Sequence, residues 1–215
     1  MSAAAHPLPE QTTSLGRRPK LEVIGRSPAV DLDRAERAVA ELLAALGQDP
    51  TSEQLLDTPR RVAAGYAELL TPAPFAPTTF PNHEGYDELV LAKAIPFSSL
   101  CQHHLLPFVG VAHVGYLPGA RILGLSKFAR TVEFFARRAQ TQERLTMEIA
   151  EHLMDRLEPR GVGVVLEAEH TCMSLRGARA AGARTVTAAL RGGLRDDPKT
   201  RAEFLSLTRD RAVSR

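Results

Sequence analysis

The hydrophobic period changes along this chain in an order that few folds can accommodate. Apolar residues first recur every three or four positions from Leu32 to Leu46, which predicts a helix between Asp31 and Gly47. Strand-like alternation follows over residues 108–117, and helical periods then return before two further strands. Because the strands come in runs, with paired helices set to one side, this order favours an α+β fold over a doubly wound parallel sheet.

Local capping and proline signals set the predicted boundaries. Thr51 with Gln54 resembles a capping box, and Thr58 followed by Pro59 predicts the N-cap and first turn of a second helix. Four prolines between Thr71 and Asn82 forbid regular structure there. The predicted elements are helices at 31–47 and 58–70, strands at 88–95, 108–117 and up to 125, helices at 126–139 and 141–157, strands at 162–169 and 184–190, and a helix at 198–207.

The chain divides into three segments. Its 215 residues fit one domain with an appendage. Residues 1–29 carry prolines among Ser, Thr, Gly and Arg without a sustained period, which predicts a mobile tail. Residues 30–82 form a helical segment with a proline-rich linker, and residues 83–215 form the main domain.

Composition excludes several classes of function. Lys and Arg number 27 against 25 for Asp and Glu, so a net charge of +2 gives no strong field for nucleic acid or an anionic membrane. Trp is absent and aromatics are 5% of residues, which argues against a stacking platform for single strands. There is no apolar run of roughly 18 residues and no signal-peptide core. We therefore expect a cytoplasmic protein without nucleic-acid or membrane partners.

Both cysteines of the chain lie beside histidines. Cys101-Gln102-His103-His104 places a thiol three residues before an imidazole, and His170-Thr171-Cys172 would put both donors on one face of an extended segment. Three interpretations fit: two inert buried thiols, a closed structural zinc site with four ligands, or a catalytic site with three ligands and one position open to water. Spacing alone does not choose among them.

The segment Gly124-Leu125-Ser126-Lys127 is a candidate anion site. It runs from a predicted strand into a helix, whose first turn exposes unpaired N–H groups, and Lys127 adds a positive charge. The plainer interpretation is an ordinary helix cap at Ser126 with a solvated Lys127.

Other polar residues near helix junctions are less specific. Glu143 could pair with the N1 and N2 donors of a guanine edge, or belong to a solvated face together with Gln142. Arg130 and Arg176 could bind phosphate or lie in solvent.

Together these stretches resemble the GTP cyclohydrolase I family from about Asp31 to Leu207. The motifs that carry the resemblance are Asp57-Thr58-Pro59-Arg60-Arg61, the segment 101–108 (Cys-Gln-His-His-Leu-Leu-Pro-Phe), Gly-Tyr-Leu-Pro at 115–118, Gly-Leu-Ser-Lys at 124–127, Gln-Glu-Arg-Leu-Thr at 142–146, His-Thr-Cys-Met at 170–173, Arg-Gly at 176–177 and the segment 197–205. So many motifs in one order make the resemblance specific.

The resemblance implies a fold, an assembly and a reaction. The fold is the tunnelling fold, an antiparallel sheet with two helices on one side, here preceded by the N-terminal helical segment. The assembly is a homodecamer of two stacked pentamers with sites at subunit interfaces. The reaction converts GTP and water to formate and 7,8-dihydroneopterin triphosphate, the first step towards folate and other pterins.

The resemblance also implies roles for individual residues. Zn²⁺ would be held by Cys101, His104 and Cys172 with one position open, and His103 and His170 would move protons, His170 at N7 of the base and His103 on the ribose side. The substrate would be bound by Gln142 and Glu143 at the guanine edge and by Ser126, Lys127, Arg130, Arg176 and Arg61 at the ribose and triphosphate.

Three positions depart from the family pattern. Gln102 stands where the family usually has Glu, which removes a charge next to the paired histidines and supports the alternative of a non-catalytic GTP-binding paralogue. A related enzyme that stops at a formamidopyrimidine is a further alternative. Leu194 stands where an aromatic residue is common, and Ala178 where Val is common. We interpret the last two as changes in packing.

Overall fold

The structure is a computed structural model and describes residues 29–75 and 78–209. All but the last residue of the predicted tail, 1–29, lies outside the described residues. The helices are α1 Leu32–Ala45, α2 Thr58–Leu70, α3 Ser126–Ala136, α4 Gln142–Leu157, α5 Thr171–Ser174, α6 Gly193–Asp196 and α7 Pro198–Arg209. The strands are β1 Thr79–Pro81, β2 Val90–Cys101, β3 Pro107–Leu117, β4 Arg121–Leu123, β5 Ala139–Gln140, β6 Gly161–His170 and β7 Thr185–Gly192.

The sequence predicts the first two helices, and the structure shows that they pack against each other. The Asp31 carboxylate caps α1 by accepting a hydrogen bond from the Arg34 N–H at 2.9 Å. The cap of α2 is Asp57, so the prediction of Thr58 as its cap is wrong by one residue. No helix begins at Thr51, because its N–H and hydroxyl both bind the Asp49 carboxylate in a local turn.

A five-stranded sheet lies at the centre, in the order β5-β2-β3-β6-β7. Its pairs are antiparallel except for the short parallel contact of β2 with β5. This topology agrees with the predicted α+β class.

One face of the sheet carries the main core. α3 packs on β2, and α4 packs on β6 and β7. Side chains of both helices and alternate strand residues form one buried cluster, which includes Phe97, Phe108, Val114, Tyr116, Phe128, Val132, Leu145, Ile149, Leu153, Val164 and Leu166. Among the described residues, none of the helices has the length and apolarity that a membrane crossing requires.

The opposite face is covered at one end by α6 and α7. Leu194 and Phe204 are fully buried there against Val165. A Cβ atom at Gly163 would lie 2.7 Å from two ring carbons of Phe204, so this contact requires glycine in β6. Leu194 is therefore a packing position, as interpreted, whereas Ala178 is exposed and the packing interpretation fails for it.

β1 and β4 form a separate two-stranded sheet, and β4 ends shortly before α3 begins along the chain. Pro81 pairs with Arg121, so the prediction that prolines exclude regular structure up to this point is wrong; proline is tolerated because the strand lies at an edge. The Tyr116 hydroxyl accepts a hydrogen bond from the buried N–H of Leu123 at 2.9 Å. This bond fixes β4 immediately before α3 begins.

β2 continues six residues beyond its predicted end at Ile95 and reaches Cys101. A bulge between Ala92 and Ile95, with Ala94 at φ 53°, shifts the alternation by one residue. The period-2 pattern is interrupted there, and it resumes with buried Ile95 and Phe97.

Candidate metal centre and active site

Cys101 is the last residue of β2 and is held by main-chain bonds on several sides. β5 pairs with this end of the strand, so that Cys101 lies opposite Gln140. The Cys101 N–H donates to Leu106 O at 2.9 Å, and the Cys101 carbonyl accepts from Leu105 N at 2.8 Å. Cys101 therefore lies at the start of a closed turn, and its thiol is buried at the end of the sheet.

The second thiol reaches the same place through β6. Phe108 of β3 pairs with His170, the last residue of β6, and the Thr171 hydroxyl donates to Pro107 O at 2.6 Å. The chain then enters the one-turn helix α5, which contains Cys172. The expectation that an extended segment puts His170 and Cys172 on one face is therefore wrong, because a helical turn brings the two side chains together.

Two thiols and one imidazole converge at this point. Donor atoms of Cys101, His170 and Cys172 lie within 4.8 Å of one another, with both cysteines buried and the histidine half-buried. Burial raises the pKa of the Cys172 thiol, and the neighbouring Cys101 adds to the effect. Thiolates beside each other in such a place need a cation, and two sulfurs with a nitrogen are a donor set that suits Zn²⁺.

Two further imidazoles flank the Cys101 thiol. The Nδ1 atoms of His103 and His104 lie 3.8 and 3.7 Å from Cys101 Sγ, and both side chains are exposed. Gln102 lies beside them, with its Nε2 3.5 Å from Nε2 of His103. The predicted ligand His104 thus contacts one thiol, while His170 is the imidazole grouped with both.

His170 is fixed on two sides. Its ring stacks on Phe108 with centroids 4.5 Å apart and planes 3° from parallel. Its Nε2 lies 2.8 Å from Oε1 of Gln142. Burial lowers the pKa of His170, and the nearby Glu143 carboxylate opposes that shift.

The two residues predicted to bind guanine, Gln142 and Glu143, have different environments in the structure. Gln142 is 1% exposed, and its amide nitrogen donates to protein acceptors on β6 and β7. Glu143, the next residue of α4, is exposed and lies close enough to His170 to affect its pKa. Of the two side chains, only that of Glu143 is open to a ligand.

Arg176 supplies a positive charge next to the thiols. Its guanidinium lies 3.5 Å from the Cys172 carbonyl, is exposed, and acts to lower the pKa of Cys172 against the effect of burial. It is therefore available to an anionic ligand at this end of the sheet.

The other predicted anion contacts lie elsewhere on the chain. Ser126 is the first residue of α3, Leu125 is the cap residue, and no side chain caps this helix, so the plain-cap interpretation is wrong. The far end of α3 lies at β2 near the thiols, since Ser99 Oγ donates to Ala136 O at 2.7 Å. Ser126 is thus about 15 Å away along the helix axis from that end.

Arg61 is also outside the cluster. It lies on α2, is exposed, and pairs with Asp57 at 2.9 Å.

Comparison with known proteins decides the family. A sequence model of GTP cyclohydrolase I matches residues 35–209, most of the chain. The chain belongs to the GTP cyclohydrolase I family. "GTP cyclohydrolase 1" of Streptomyces griseus subsp. griseus is 56% identical over 190 residues, which cover 85% of this chain and 93% of that protein. "GTP cyclohydrolase 1" of Bacillus cytotoxicus is 50% identical over 186 residues, covering 85% and 98%.

One solved structure is a weaker match. The archaeosine synthase QueF-Like in its apo form shares 21% identity with this chain, with a TM-score of 0.39, over 49% of this chain and 94% of that one. A score this low supports no statement about the present chain.

Family membership establishes an enzyme of the GTP cyclohydrolase I type. In this chain, the structure brings most of the predicted site residues together at one end of the sheet. These are Cys101, His103, His104, Gln142, Glu143, His170, Cys172 and Arg176. Within one chain it leaves Ser126, Lys127 and Arg130 on the first turns of α3 and Arg61 on α2.

Three residues that shape this site were not predicted from the sequence. Phe108 stacks on His170, and Thr146 and Thr187 surround the amide of Gln142. Phe108 belongs to a quoted motif but has no chemistry of its own, and the threonines lie 41 residues apart, so only the fold brings them together.

Proposed function

We propose that this chain catalyses the zinc-dependent hydrolysis and rearrangement of GTP to formate and 7,8-dihydroneopterin 3'-triphosphate. The observation that carries the proposal is the convergence of two buried thiols with an imidazole, beside exposed Glu143 and Arg176. These residues combine a site for a soft metal with a carboxylate for a guanine edge and a cation for phosphate.

The donor set fits zinc, and we assign Cys101, Cys172 and His104 as its ligands. His104 Nδ1 already lies 3.7 Å from Cys101 Sγ on an exposed turn. A second arrangement, favoured by the 4.8 Å grouping, uses His170 as the third ligand. In either case three protein ligands leave a position open, and bound zinc would supply a Lewis acid and an activated water for hydrolysis at C8 of the purine.

The remaining residues bind the base and move protons. Glu143 would accept hydrogen bonds from N1 and N2 of guanine, a paired geometry that carboxylates favour. His170 would hold or deliver a proton at N7, and His103 would act on the ribose side. Burial lowers the pKa of His170, which favours the neutral ring, the form that can take up a proton before passing it on.

The residues that we expect to bind the triphosphate lie apart from the thiols within one chain. Ser126, Lys127 and Arg130 lie in the first half of α3, with Ser126 about 15 Å along the helix axis from the end that contacts β2 near the thiols. We propose that they, and Arg61 of α2, complete the site of a neighbouring copy. A homodecamer would provide such neighbours. Each chain would contribute a tunnelling-fold domain, residues 83–215, preceded by the helical segment of residues 30–82. The enzyme would act in the cytoplasm, at the start of pterin synthesis.

Activity and metal content should be measured on the same sample. Zinc-loaded protein incubated with GTP should release formate and the pterin product together, with about one zinc per chain. Cys172→Ala should lose zinc and activity, whereas His83→Ala, which removes an exposed histidine in a loop, should keep both. Zinc retained in His104→Ala but lost in His170→Ala would select the second ligand set, and zinc-loaded protein that makes no pterin would refute the proposal.

The shared site makes a separate prediction for mixed oligomers. Cys172→Ala and Lys127→Ala should each be inactive alone, because each damages a different part of every site. Hybrids of the two should recover part of the activity, since some sites combine an intact metal end with an intact α3 end. Inactive hybrids of the two variants would place both residues in the site of one chain.

A second candidate function rests on Gln102. Its carboxamide lies beside His103 in place of the carboxylate usual in the family, so a protein that binds GTP without opening it is the alternative. Bound nucleotide without formate at any pH, with activity gained in Gln102→Glu, would support that alternative.

A further inference from the structure

Gln142 connects α4 to the end of the sheet that carries the thiols. Its side chain is 1% exposed and lies between β6, β7 and the ring of His170. We propose that Gln142 is a positioning residue that fixes the tautomer and orientation of His170, and that it does not contact guanine. This inference deepens the proposed function and rests on it for the role of His170.

The surroundings of the carboxamide determine which way it points. Gln142 Nε2 faces three acceptors: Leu166 O at 3.2 Å, Thr185 O at 2.9 Å and Thr187 Oγ1 at 3.2 Å. The reverse orientation would set the amide oxygen against two carbonyl oxygens that cannot donate. The amide oxygen must therefore face His170.

This orientation decides the proton position on His170. Gln142 Oε1 is an acceptor 2.8 Å from His170 Nε2, so that nitrogen has to carry the proton. In the neutral ring the lone pair then lies on Nδ1, the nitrogen left to bind a metal or accept a proton.

Two threonines lock the amide in place through a closed ring of hydrogen bonds. The Thr146 hydroxyl donates its one proton to the main-chain carbonyl of Gln142 at 2.7 Å. Thr187 Oγ1, 2.6 Å from Thr146 Oγ1, must therefore donate to Thr146, and it accepts from Gln142 Nε2. Every hydroxyl in the ring is used as both donor and acceptor, so rotating the amide would break several buried bonds at once.

The stacked Phe108 ring supplies the remaining constraint. With the ring planes 3° from parallel, rotation of the imidazole out of plane is blocked on one face. The amide sets which nitrogen is protonated, and Phe108 sets the plane in which the other nitrogen lies.

The test compares the tautomer of His170 and the kinetics in wild-type and variant forms of the full-length protein. Nitrogen-15 spectra of histidine-labelled, zinc-free protein, assigned with His170→Asn, should report a proton on Nε2 of His170. Gln142→Met, which keeps the length but removes the acceptor, should give mixed tautomers. With zinc bound, it should lower kcat for GTP about 10- to 100-fold and leave KM within about twofold.

Two variants of Thr187 provide a test that does not depend on Gln142→Met folding correctly. Thr187→Val keeps the shape but removes a hydroxyl that touches neither His170 nor the thiols, and it should shift the His170 spectrum and lower kcat in the same direction. Thr187→Ser restores the hydroxyl and should recover both.

The two proposals fail in different ways. A proton on Nδ1 in the wild-type spectrum, or an unchanged spectrum in Gln142→Met with a raised KM, would overturn the positioning role and favour a guanine contact. If wild-type protein makes no formate, the proposed function fails, while the zinc-free spectra still decide what Gln142 does.

Discussion

Gly163→Ala should destabilise the protein although it adds a single methyl group. The new Cβ would lie 2.7 Å from two carbons of the Phe204 ring and 3.0 Å from a third. Ordinary contacts between carbons are about 3.5–4.0 Å, so the ring must retreat by about 1 Å. Phe204 is a residue of α7 and is completely buried, so the ring has no exposed space to move into.

The cost follows from overpacking rather than from backbone strain. Gly163 is not among the residues of positive φ, so alanine fits its backbone. Overpacking of this size costs about 1–3 kcal/mol in the free energy of unfolding. Gly65→Ala is the matched control: nothing lies within 4 Å of its new methyl, and alanine in a helix should stabilise α2 by about 0.5–1 kcal/mol.

Urea unfolding at one fixed protein concentration measures these differences. Phe204→Leu should be less damaging in the Gly163→Ala background than in the wild type, because the smaller side chain leaves room for the methyl. We expect a coupling of about 1 kcal/mol or more between the two sites. A Gly163→Ala protein as stable as wild type, or strictly additive effects, would refute the packing argument.

Three other perturbations test separate parts of the structure. Tyr116→Phe should cost about 1–3 kcal/mol in thermal or urea unfolding, because it leaves the Leu123 N–H buried without its acceptor; wild-type stability would contradict this. Stability should fall as pH drops below about 6.5, because burial lowers the pKa of His152 in the folded state and the unfolded chain then binds more protons; His152→Phe should reduce that slope, and an unchanged slope in the variant would exclude His152 as a cause. Arg176→Ala should raise KM for GTP about tenfold or more through loss of a charge-assisted contact, with zinc content unchanged, and an unaltered KM would remove Arg176 from the substrate site.

Long periodic elements were predictable from the sequence, and short ones were not. α1, α4 and β6 carry full repeats of their hydrophobic pattern, and their bounds agree with prediction to within about two residues. β5 and α5 span two and four residues, too few to display a period, and β2 was cut short because its bulge interrupts the alternation.

The candidate site shows the same division between local and long-range information. The flanking of Cys101 and Cys172 by histidines was visible in the sequence, and the fold brings both thiols together. The burial of Gln142 could not be predicted from the sequence, because its hydrogen-bond partners lie on β6 and β7, which local spacing does not relate to α4. Which imidazole joins the thiols also depends on the helical turn after His170.

The cluster formed by Leu194, Phe204 and Val165 lies at the end of the sheet opposite the thiols. Phe204 packs over Gly115 and Gly163, whereas the thiols lie beyond Phe108 and His170, about seven residues or 23 Å along the strands. Residues at the two ends share no contacts, so substitutions there should have additive effects on the free energy of unfolding. The packing under α7 that contributes to stability and the residues of the candidate site therefore lie in separate regions of one sheet. Substitutions under α7 can raise the stability of the protein without changing the residues around the thiols.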